Sequence, residues 1–258
     1  MNDLICGDVI QELQKIQSNL VDLTITSPPY NKRKHRRGKI IPSIDYDSIS
    51  DDMPEDEYQK WQVDVLDELY RVAKDGGSLF YNHKIRWNNG TLIHPITWLS
   101  KTKWTIKQEI VWDRIIAANL RGWRFWQAEE RIYWLYKPDG NNFVGRELQS
   151  RHAKLFSVWR LRPEQKSEHP AAFPISIPTR IIYSVLDETK GATVLDPFCG
   201  SGTTLVAAKA LGHNFIGIDL SPRYLEICKS RLENIESEMS MIKKEMTLHV
   251  INKKETNG

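Results

Sequence analysis

The chain has 258 residues, of which 40% are hydrophobic and 27% are charged. The composition is ordinary for a soluble globular protein, and the length suits one large α/β domain of residues 1–258, or one domain with a modest insertion. The net charge of +3 is too small to identify a partner. Three widely spaced cysteines and the lack of long apolar runs predict a cytoplasmic protein without a membrane segment, and the histidine spacing predicts no metal site.

The first part of the chain predicts two strands that flank a helix. The segments are a strand at 3–6, a helix at 9–17 and a buried strand at 21–26, which is rich in β-branched residues. Pro28 and Pro29 then prevent both a sheet ladder and a helix, so the chain must leave the sheet as a stiff hook. Strand ends of this kind carry chemistry in α/β folds, although a Pro-Pro turn can also simply stop a strand.

The middle of the chain alternates between regular elements and two polar segments. Residues 31–54 lack apolar periodicity and predict a long loop with a basic run followed by an acidic one. Residues 139–168 are polar and basic and predict a small irregular insertion. The predicted elements between them are a helix at 55–73, a strand at 78–81, a helix within 90–101, and strands at 105–112 and 130–136.

The last part returns to an α/β pattern. We predict a helix from 178 to 186, a strand at 192–195, a helix at 203–211, a strand at 214–218 and a helix up to 235. Ser221 is expected to cap the final helix, with Pro222 at its first position. The charged tail from 236 shows only a hint of a strand at 247–251.

A glycine-containing turn after the strand at 192–195 indicates a ligand site. Gly200 and Gly202 would let backbone amides approach a ligand, while Asp196 and Asp219 end two strands where ribose hydroxyls could be held. Leu205 stands where a dinucleotide motif has its third glycine, and the Lys-Ser/Thr pair of a phosphate loop is missing. A nucleoside cofactor without a pyrophosphate, such as S-adenosylmethionine, therefore fits better than NAD.

Three motifs together resemble those of the S-adenosylmethionine-dependent DNA amino-methyltransferases. Thr26-Ser27-Pro28-Pro29-Tyr30 looks like their catalytic motif, Asp196 to Thr204 like their cofactor loop, and His169-Pro-Ala-Ala-Phe-Pro like the loop before the cofactor strand. The catalytic motif comes first, as in the circularly permuted β group. The resemblance implies a Rossmann-like α/β fold with a seven-stranded, mixed and mostly parallel sheet.

The resemblance also implies residue roles. The Ser27 side chain and the Pro28 carbonyl would accept hydrogen bonds from the N–H groups of an exocyclic amine. Pro29 would stiffen the turn, and Tyr30 would stack on a flipped base. Cys199 is interpreted as a loop residue rather than a nucleophile, and Asp8 could equally be a helix N-cap. The implied cofactor-binding residues are Asp8, His169, Phe173, Asp196, Pro197, Phe198, Cys199, Gly200, Ser201, Gly202, Thr203, Asp219, Leu220 and Ser221.

The implied partner is double-stranded DNA. The basic side chains expected to contact phosphates are Lys32, Arg33, Lys34, Arg36, Arg37 and Lys39, with His83, Lys84 and Arg86 as weaker candidates. A solvated loop balanced by acids is the alternative for the first six. At most one or two of Trp87, Trp123 and Trp126 are expected to contact DNA. Glu129-Glu130 could be a pair of catalytic carboxylates in another fold, but a strand entry is the preferred interpretation here.

The resulting hypothesis is a site-specific DNA methyltransferase. Cytosine N4 is preferred over adenine N6, because Ser27 and the His-Pro-Ala-x-Phe-Pro loop resemble the N4-cytosine members. An RNA or protein methyltransferase is disfavoured because its hook normally follows the cofactor loop. A non-catalytic DNA-binding protein is disfavoured because both motifs look intact. The insertion at 139–168 is expected to recognise the target, and a cognate restriction endonuclease and a dimer are possible partners.

Overall fold

A computed structural model describes residues 2–31, 52–117, 122–140, 148, 155–163, 173–186 and 189–248. The strands in these ranges are β1 (Asn2–Cys6), β2 (Val21–Thr26), β3 (Ala73–His83), β4 (Arg86–Asn88), β5 (Thr91–Ile93), β6 (Thr105–Asp113), β7 (Glu129–Tyr136), β8 (Val158–Arg160), β9 (Thr193–Asp196) and β10 (Asn214–Asp219). The helices are α1 (Val9–Lys15), α2 (Glu55–Val72), α3 (Ile96–Leu99), α4 (Ser176–Leu186), α5 (Thr203–Ala210), α6 (Pro222–Glu233) and α7 (Glu236–Leu248).

The main sheet is mixed and mostly parallel, as predicted. Its strand order is β1-β10-β9-β2-β3-β7-β6-β8, and β7 runs antiparallel to both of its neighbours. Eight strands pair in the described residues, instead of the seven expected, because β8 adds to the edge strand β6. Since β8 lies inside the predicted insertion 139–168, part of that segment belongs to the sheet.

Helices cover both faces of this sheet and create two cores. Successive residues of β3 point to opposite faces: Leu79 and Tyr81 pack with α1, α2 and α3, while Phe80 packs with α4, α5, α6 and α7. The central parallel strands are therefore buried on both sides, which explains their nearly continuous apolar sequences.

Two predicted elements differ from the structure. The helix expected within 90–101 is mostly replaced by the β4–β5 hairpin, followed by the single turn of α3. Asn89 and Gly90 adopt positive φ angles of 48° and 82° at the hairpin turn, the conformation that Asn-Gly pairs favour. The tail forms helix α7 up to residue 248 instead of starting a strand at 247.

The sheet contains a switch point between β2 and β9. The chain leaves β9 through α5 toward β10 on one side, and leaves β2 through α2 toward β3 on the other. Connections that diverge in this way open a crevice at the carboxyl ends of the two strands. None of the described helices has the length and apolarity needed to cross a bilayer.

Candidate active site

The hook from Thr26 to Tyr30 starts at the carboxyl end of β2, directly at the switch point. Thr26 Oγ1 donates a 3.0 Å hydrogen bond to Asp196 Oδ1 at the end of β9. Both groups are buried. The structure therefore joins the start of the predicted catalytic motif to the start of the predicted cofactor loop.

Helix α2 holds the hook from the other side. Tyr58 Oη donates to the Pro29 carbonyl at 2.6 Å, lies 2.7 Å from His83 Nε2, and accepts from Gln62 Nε2 at 2.8 Å. Tyr58, Gln62 and His83 are fully or almost fully buried. Because several groups of α2 and β3 converge on one hydroxyl, the position of the Pro29 carbonyl is well determined.

The residue that follows the hook, Asn31, is hydrogen-bonded to the segment that precedes α2. The Asn31 side chain exchanges two hydrogen bonds with the backbone of Met53, at 2.9 and 2.7 Å. Asn31 has a positive φ of 52°, which asparagine tolerates better than most residues. Residues 32–51, which contain the basic run from Lys32 to Lys39, lie outside the described residues.

A buried polar cluster surrounds the Ser27 hydroxyl. Ser27 Oγ lies 2.6 Å from Tyr30 Oη, and Tyr30 Oη donates to Glu130 Oε2 at 3.0 Å. Asn82 Nδ2 lies 2.8 Å from Tyr30 Oη, 3.0 Å from Glu130 Oε2 and 3.4 Å from Ser27 Oγ. Three strand ends, those of β2, β3 and β7, therefore contribute to one network.

Two cations keep the Glu130 carboxylate charged in this buried place. Lys84 Nζ lies 3.1 Å and Arg114 Nη1 3.2 Å from Glu130 Oε1. Burial by itself would raise the pKa of Glu130, but the two cations and the hydrogen bond from Asn82 outweigh it and hold this pKa below its ordinary value. Glu130 is therefore an anion at neutral pH.

The Tyr30 ring is buried and packs against His83, with 4.7 Å between the ring centroids. Stacking of Tyr30 on a flipped base stays a prediction. Among the described residues, no group donates a hydrogen bond to the Pro28 carbonyl. That oxygen is thus able to accept a hydrogen bond from a ligand.

The carboxylate of Asp196 organises the start of the cofactor loop. Oδ1 accepts from Thr26 and from the Phe198 backbone N–H at 3.1 Å, and Oδ2 accepts from Thr204 Oγ1 at 2.8 Å. Burial raises the pKa of Asp196 to about 7, although these hydrogen bonds act in the opposite direction. Asp196 thus connects the hook, the loop and α5 instead of projecting freely into the crevice.

The carboxylate of Asp219 closes the other side of the loop. Its oxygens accept from the backbone N–H groups of Gly200 at 2.8 Å and Ser221 at 2.9 Å. Burial raises the pKa of Asp219 above its ordinary value. Each carboxylate oxygen has a second lone pair, so the group is able to accept ribose hydroxyls as well. Leu220, the next residue, is exposed.

Two glycines explain how α5 packs so closely. Gly202 precedes α5 with a φ of 82°, and a Cβ there would lie only 3.0 Å from the Cβ of Cys228. A Cβ on Gly217 of β10 would be 3.0 Å from Cys199 Sγ and would also collide with Leu205. Gly217 therefore permits the close helix–strand contact for which a dinucleotide motif uses its third glycine.

Cys199 is buried within the loop. The neighbouring Cys228 thiol and burial raise the pKa of Cys199 well above its ordinary value. A protonated thiol is a poor nucleophile, which agrees with the interpretation of Cys199 as a loop residue. From α6, Arg231 Nη1 donates to the Ser201 carbonyl at 2.7 Å and contacts Thr203 Oγ1 at 3.1 Å.

The remaining predicted cofactor residues surround this loop. Asp8 Oδ1 accepts from the backbone N–H groups of Ile10 and Gln11, both at 3.1 Å, so Asp8 is the N-cap of α1. Its neighbour Gly7 bonds to the Asp219 carbonyl, which places Asp8 beside the Asp219 strand end. A cofactor contact of Asp8 stays a prediction. Pro197 and Phe173 are buried, Ser221 caps α6 as expected, and His169 lies outside the described residues.

Lys84 and Arg86, which the sequence predicts to contact DNA, both have acidic partners. Lys84 pairs with Glu130 beside the hook. Arg86 forms two 2.8 Å contacts with the carboxylate of Glu55 and stacks 4.6 Å above the Tyr58 ring. Arg86 thus joins β4 to the first turn of α2, and a DNA contact by either residue stays a prediction.

Apart from Tyr30 and Lys84, the residues around Ser27 have no functional role in the sequence-based predictions. Glu130 is interpreted there as a strand entry, and Asn82, Arg114 and Tyr58 are assigned no role. The available signal is the charged start of β7, residues 129–131, directly before its apolar run 132–136, because a carboxylate there is buried only with partners. The described residues contain no group of three or more His, Cys, Asp or Glu side chains arranged to hold a metal.

A crevice at the switch point, with an acid at each strand end and a glycine-containing loop, defines an α/β enzyme that binds a nucleoside cofactor. The N6/N4 methyltransferase family model, described as DNA methylase, matches residues 21–230. The chain therefore belongs to the S-adenosylmethionine-dependent DNA amino-methyltransferases.

Several relatives support this membership. Type II methyltransferase M2.DpnII of Streptococcus pneumoniae is 31% identical over 89% of this chain and 89% of the relative. Type II methyltransferase M.HinfI of Haemophilus influenzae is 28% identical over 92% of this chain and 69% of the relative. DNA adenine methyltransferase YhdJ of Escherichia coli is 28% identical over 95% of this chain and 88% of the relative.

Solved structures share the fold. The PvuII DNA methyltransferase, named as cytosine-N4-specific, has a TM-score of 0.71 at 17% identity and covers 93% of this chain and 92% of its own. The M1.HpyAVI–SAM complex has a TM-score of 0.61 at 22% identity and covers 90% of this chain and 100% of its own. The Rossmann-like methyltransferase fold predicted from the sequence is confirmed.

Proposed function

We propose that the chain transfers a methyl group from S-adenosylmethionine to the exocyclic amino group of a base flipped out of double-stranded DNA, with cytosine N4 as the acceptor. The observation that carries this proposal is the hydrogen bond between Thr26 and Asp196. It holds the hook and the cofactor loop together at the switch point, so an amine at Ser27 would lie next to a cofactor in the loop.

The residues of the loop fit the cofactor. Asp219 would accept hydrogen bonds from its ribose hydroxyls, Asp8 would accept one from its adenine amino group, and residues 196–203 would hold its methionine part. His169, Phe173, Leu220 and Ser221 would complete the site. When bound, the cofactor supplies a methyl group on a positively charged sulfur, which leaves as an uncharged thioether.

The hook would prepare the amine for attack. The lone pair of an exocyclic amine is delocalised into the base, so the amine is a weak nucleophile. Ser27 Oγ and the Pro28 carbonyl would accept hydrogen bonds from its two N–H groups and localise the lone pair toward the methyl group. As the N–C bond forms and the S–C bond breaks, the nitrogen becomes positively charged, and it would then lose one proton to solvent. Because Cys199 is protonated and buried, the residues favour direct transfer whose rate depends on positioning.

The preference for cytosine rests on the serine at the first position of the hook. To test it, DNA from cells that express the protein would be digested to nucleosides and analysed by mass spectrometry, with Ser27→Ala as the matched control. We expect N4-methylcytosine with the natural chain only. N6-methyladenine would refute the base preference but not the class, whereas no methylated nucleoside would refute the proposed function.

The loop at 31–54 and the insertion at 139–168 are proposed to face DNA. Replacing Arg33, Arg36 and Arg37 by glutamine should weaken binding to all sequences and lower the slope of log K against log salt by about 3. An unchanged slope would show that this segment does not contact phosphates. A cognate restriction endonuclease and a dimer remain part of the proposal.

A further inference from the structure

The direction of the hydrogen bond between Ser27 and Tyr30 is decisive for the proposed reaction. The two hydroxyls lie 2.6 Å apart, and by distance alone either could donate. A serine that accepts a substrate N–H must direct its own proton elsewhere. We propose that the buried Glu130 carboxylate fixes this direction through Tyr30, so that Ser27 faces the substrate as an acceptor. The proposal rests on the proposed function and makes Glu130 a positioning residue.

The proton of Tyr30 is directed to Glu130. A phenol carries one proton, and an ionised carboxylate can only accept hydrogen bonds. The 3.0 Å contact with Glu130 Oε2 therefore uses the Tyr30 proton. The ion pairs of Glu130 with Lys84 and Arg114 maintain the charge that this direction requires.

The lone pairs of Tyr30 Oη are then left to accept. Asn82 Nδ2 donates to one of them at 2.8 Å. The reverse orientation of this amide would place Oδ1 3.0 Å from the Glu130 carboxylate, so the donor must face the cluster. The other lone pair faces Ser27 Oγ, which consequently donates to Tyr30.

The Ser27 hydroxyl thus donates its hydrogen bond to Tyr30, so its own lone pairs can accept. At 3.4 Å, the contact with Asn82 Nδ2 competes only weakly for its lone pairs. These remain for a substrate N–H. With an uncharged amide at position 130, Tyr30 could instead donate its hydrogen bond to Ser27. The Ser27 proton would then point toward the N–H groups of the amine, and Ser27 could no longer accept from them.

The test is a double-mutant cycle of Glu130→Gln and Tyr30→Phe, with Glu129→Gln as the control. We expect each of the first two changes to lower kcat at least 30-fold, while the KM for DNA and the affinity for S-adenosylmethionine change less than threefold. Because Glu130 acts through the Tyr30 hydroxyl, adding Glu130→Gln to Tyr30→Phe should lower kcat less than threefold further. Glu129→Gln should leave kcat unchanged.

The outcomes separate this role from a purely structural one. If Glu130 only neutralised Lys84 and Arg114, its replacement would lower kcat equally in both backgrounds, and this additive result would overturn the proposal. If Glu130→Gln does not fold, Tyr30→Phe decides, because it keeps both ion pairs; an unchanged kcat would then refute the inference. A natural chain that methylates no DNA would instead refute the proposed function.

A second inference comes from an exposed surface that we call the aromatic rim, formed by Trp87, Trp123, Arg124, Phe125 and Trp126. Phe125 is 100% exposed, Trp126 60% and Trp123 58%. The Arg124 guanidinium lies 3.9 Å from the Trp87 ring centroid and 5.6 Å from that of Trp123. Large exposed aromatic groups of this kind mark an interaction surface.

The aromatic rim adjoins the hook. Four of its residues lie between β6 and β7, where β7 enters the sheet at Glu129 beside the Ser27 cluster. Gln127 Nε2 donates to the Ile85 carbonyl at 3.2 Å, and Arg114 pairs with Glu130, so both ends of the segment are attached at this edge. The sequence from 114 to 128 contains three arginines and no acid.

We infer that the aromatic rim binds the DNA that flanks the flipped base. Aromatic rings can stack on bases that lose a neighbour, and arginine can contact phosphates. The Arg124 guanidinium has no acidic partner among the described residues, and the rim is continuous with the active-site edge; both observations favour DNA over a second copy of this chain. The inference rests on DNA being the substrate.

The test compares Trp123→Ala/Phe125→Ala/Trp126→Ala with Met241→Ala, an exposed apolar side chain on α7. We expect the triple variant to bind a fluorescent duplex at least tenfold more weakly, with unchanged S-adenosylmethionine affinity and sedimentation coefficient, and Met241→Ala to bind normally. DNA affinity within threefold of the natural chain would overturn the inference. A loss of dimers at unchanged DNA affinity would assign the rim to self-association instead. If the natural chain binds no duplex at all, this result would refute the proposed function, on which the inference about the rim depends.

Discussion

Thr26 Oγ1 and Asp196 Oδ1 are 3.0 Å apart, and their hydrogen bond joins two strand ends that are far apart in sequence. Thr26→Val keeps the shape but removes the donor. We expect a loss of about 1–2 kcal/mol of unfolding free energy. We also expect a roughly tenfold lower kcat, because the hook and the loop lose their direct connection. Urea unfolding and methyl-transfer assays would measure both effects.

Thr24→Val is the matched control. Thr24 lies two residues earlier on β2 and is equally buried, but its Oγ1 has no hydrogen-bond partner among the described residues. Its replacement should leave stability unchanged or slightly higher. Equal losses in the two variants would contradict the importance of the Thr26–Asp196 bond.

The second prediction concerns the pH dependence of stability. The pKa of Asp196 is about 7 in the folded chain, against an ordinary aspartate value of 3.8, so the folded state binds more protons between these values. Stability must therefore fall as pH rises through this window, by about 1.4 kcal/mol per pH unit, and change little above it.

Asp196→Asn removes this titration while keeping a similar shape. The difference in unfolding free energy between the natural chain and the variant should shift with that slope from pH 5 to pH 7. Groups that do not interact with Asp196 contribute equally to both proteins and cancel, whereas Asp219, whose charge acts on Asp196, is part of the measured difference. Parallel stability curves would show that Asp196 is already ionised at low pH.

The third prediction concerns Gly202 in the cofactor loop. Gly202→Ala would place a Cβ against Cys228 at a φ of 82°. We expect at least tenfold weaker binding of S-adenosylmethionine by calorimetry, because the loop must shift. Gly90 has the same φ of 82° in the β4–β5 turn, but no atom of the described residues lies within 4 Å of the position that a Cβ would occupy there.

Gly90→Ala therefore isolates the backbone strain from the collision. It should cost about 1 kcal/mol of stability and leave cofactor affinity unchanged. If Gly202→Ala behaved like Gly90→Ala, the close contact with Cys228 would be irrelevant to the site.

The fourth prediction tests the support of the hook by α2. Tyr58→Phe removes the 2.6 Å hydrogen bond to the Pro29 carbonyl and leaves the buried Gln62 amide without this acceptor. The expected loss is about 1–3 kcal/mol of unfolding free energy, together with a lower kcat. Tyr70→Phe is the control, because the Tyr70 ring packs on Trp104 without a hydroxyl hydrogen bond among the described residues. Equal effects would indicate general packing.

The local sequence determined much of this protein. Pro28 and Pro29 lack backbone N–H groups, so the end of β2 followed from covalent structure. Ser221 and Pro222 set the start of α6 in the same way. The three motifs also predicted the family and the class of fold. The end of β2 and the start of α6 depend only on residues next to each other in the sequence. The motifs can be recognised because their residues are also contiguous in the sequence.

Only the tertiary structure decided what surrounds the Ser27 hydroxyl. Glu130 has the sequence environment of a strand entry, and its role depends on β7 running antiparallel beside β3, which places it against Asn82. Likewise, Asp196 meets Thr26 only because β9 and β2 are adjacent. A sequence shows which side chains can donate or accept, but strand order decides which of them meet.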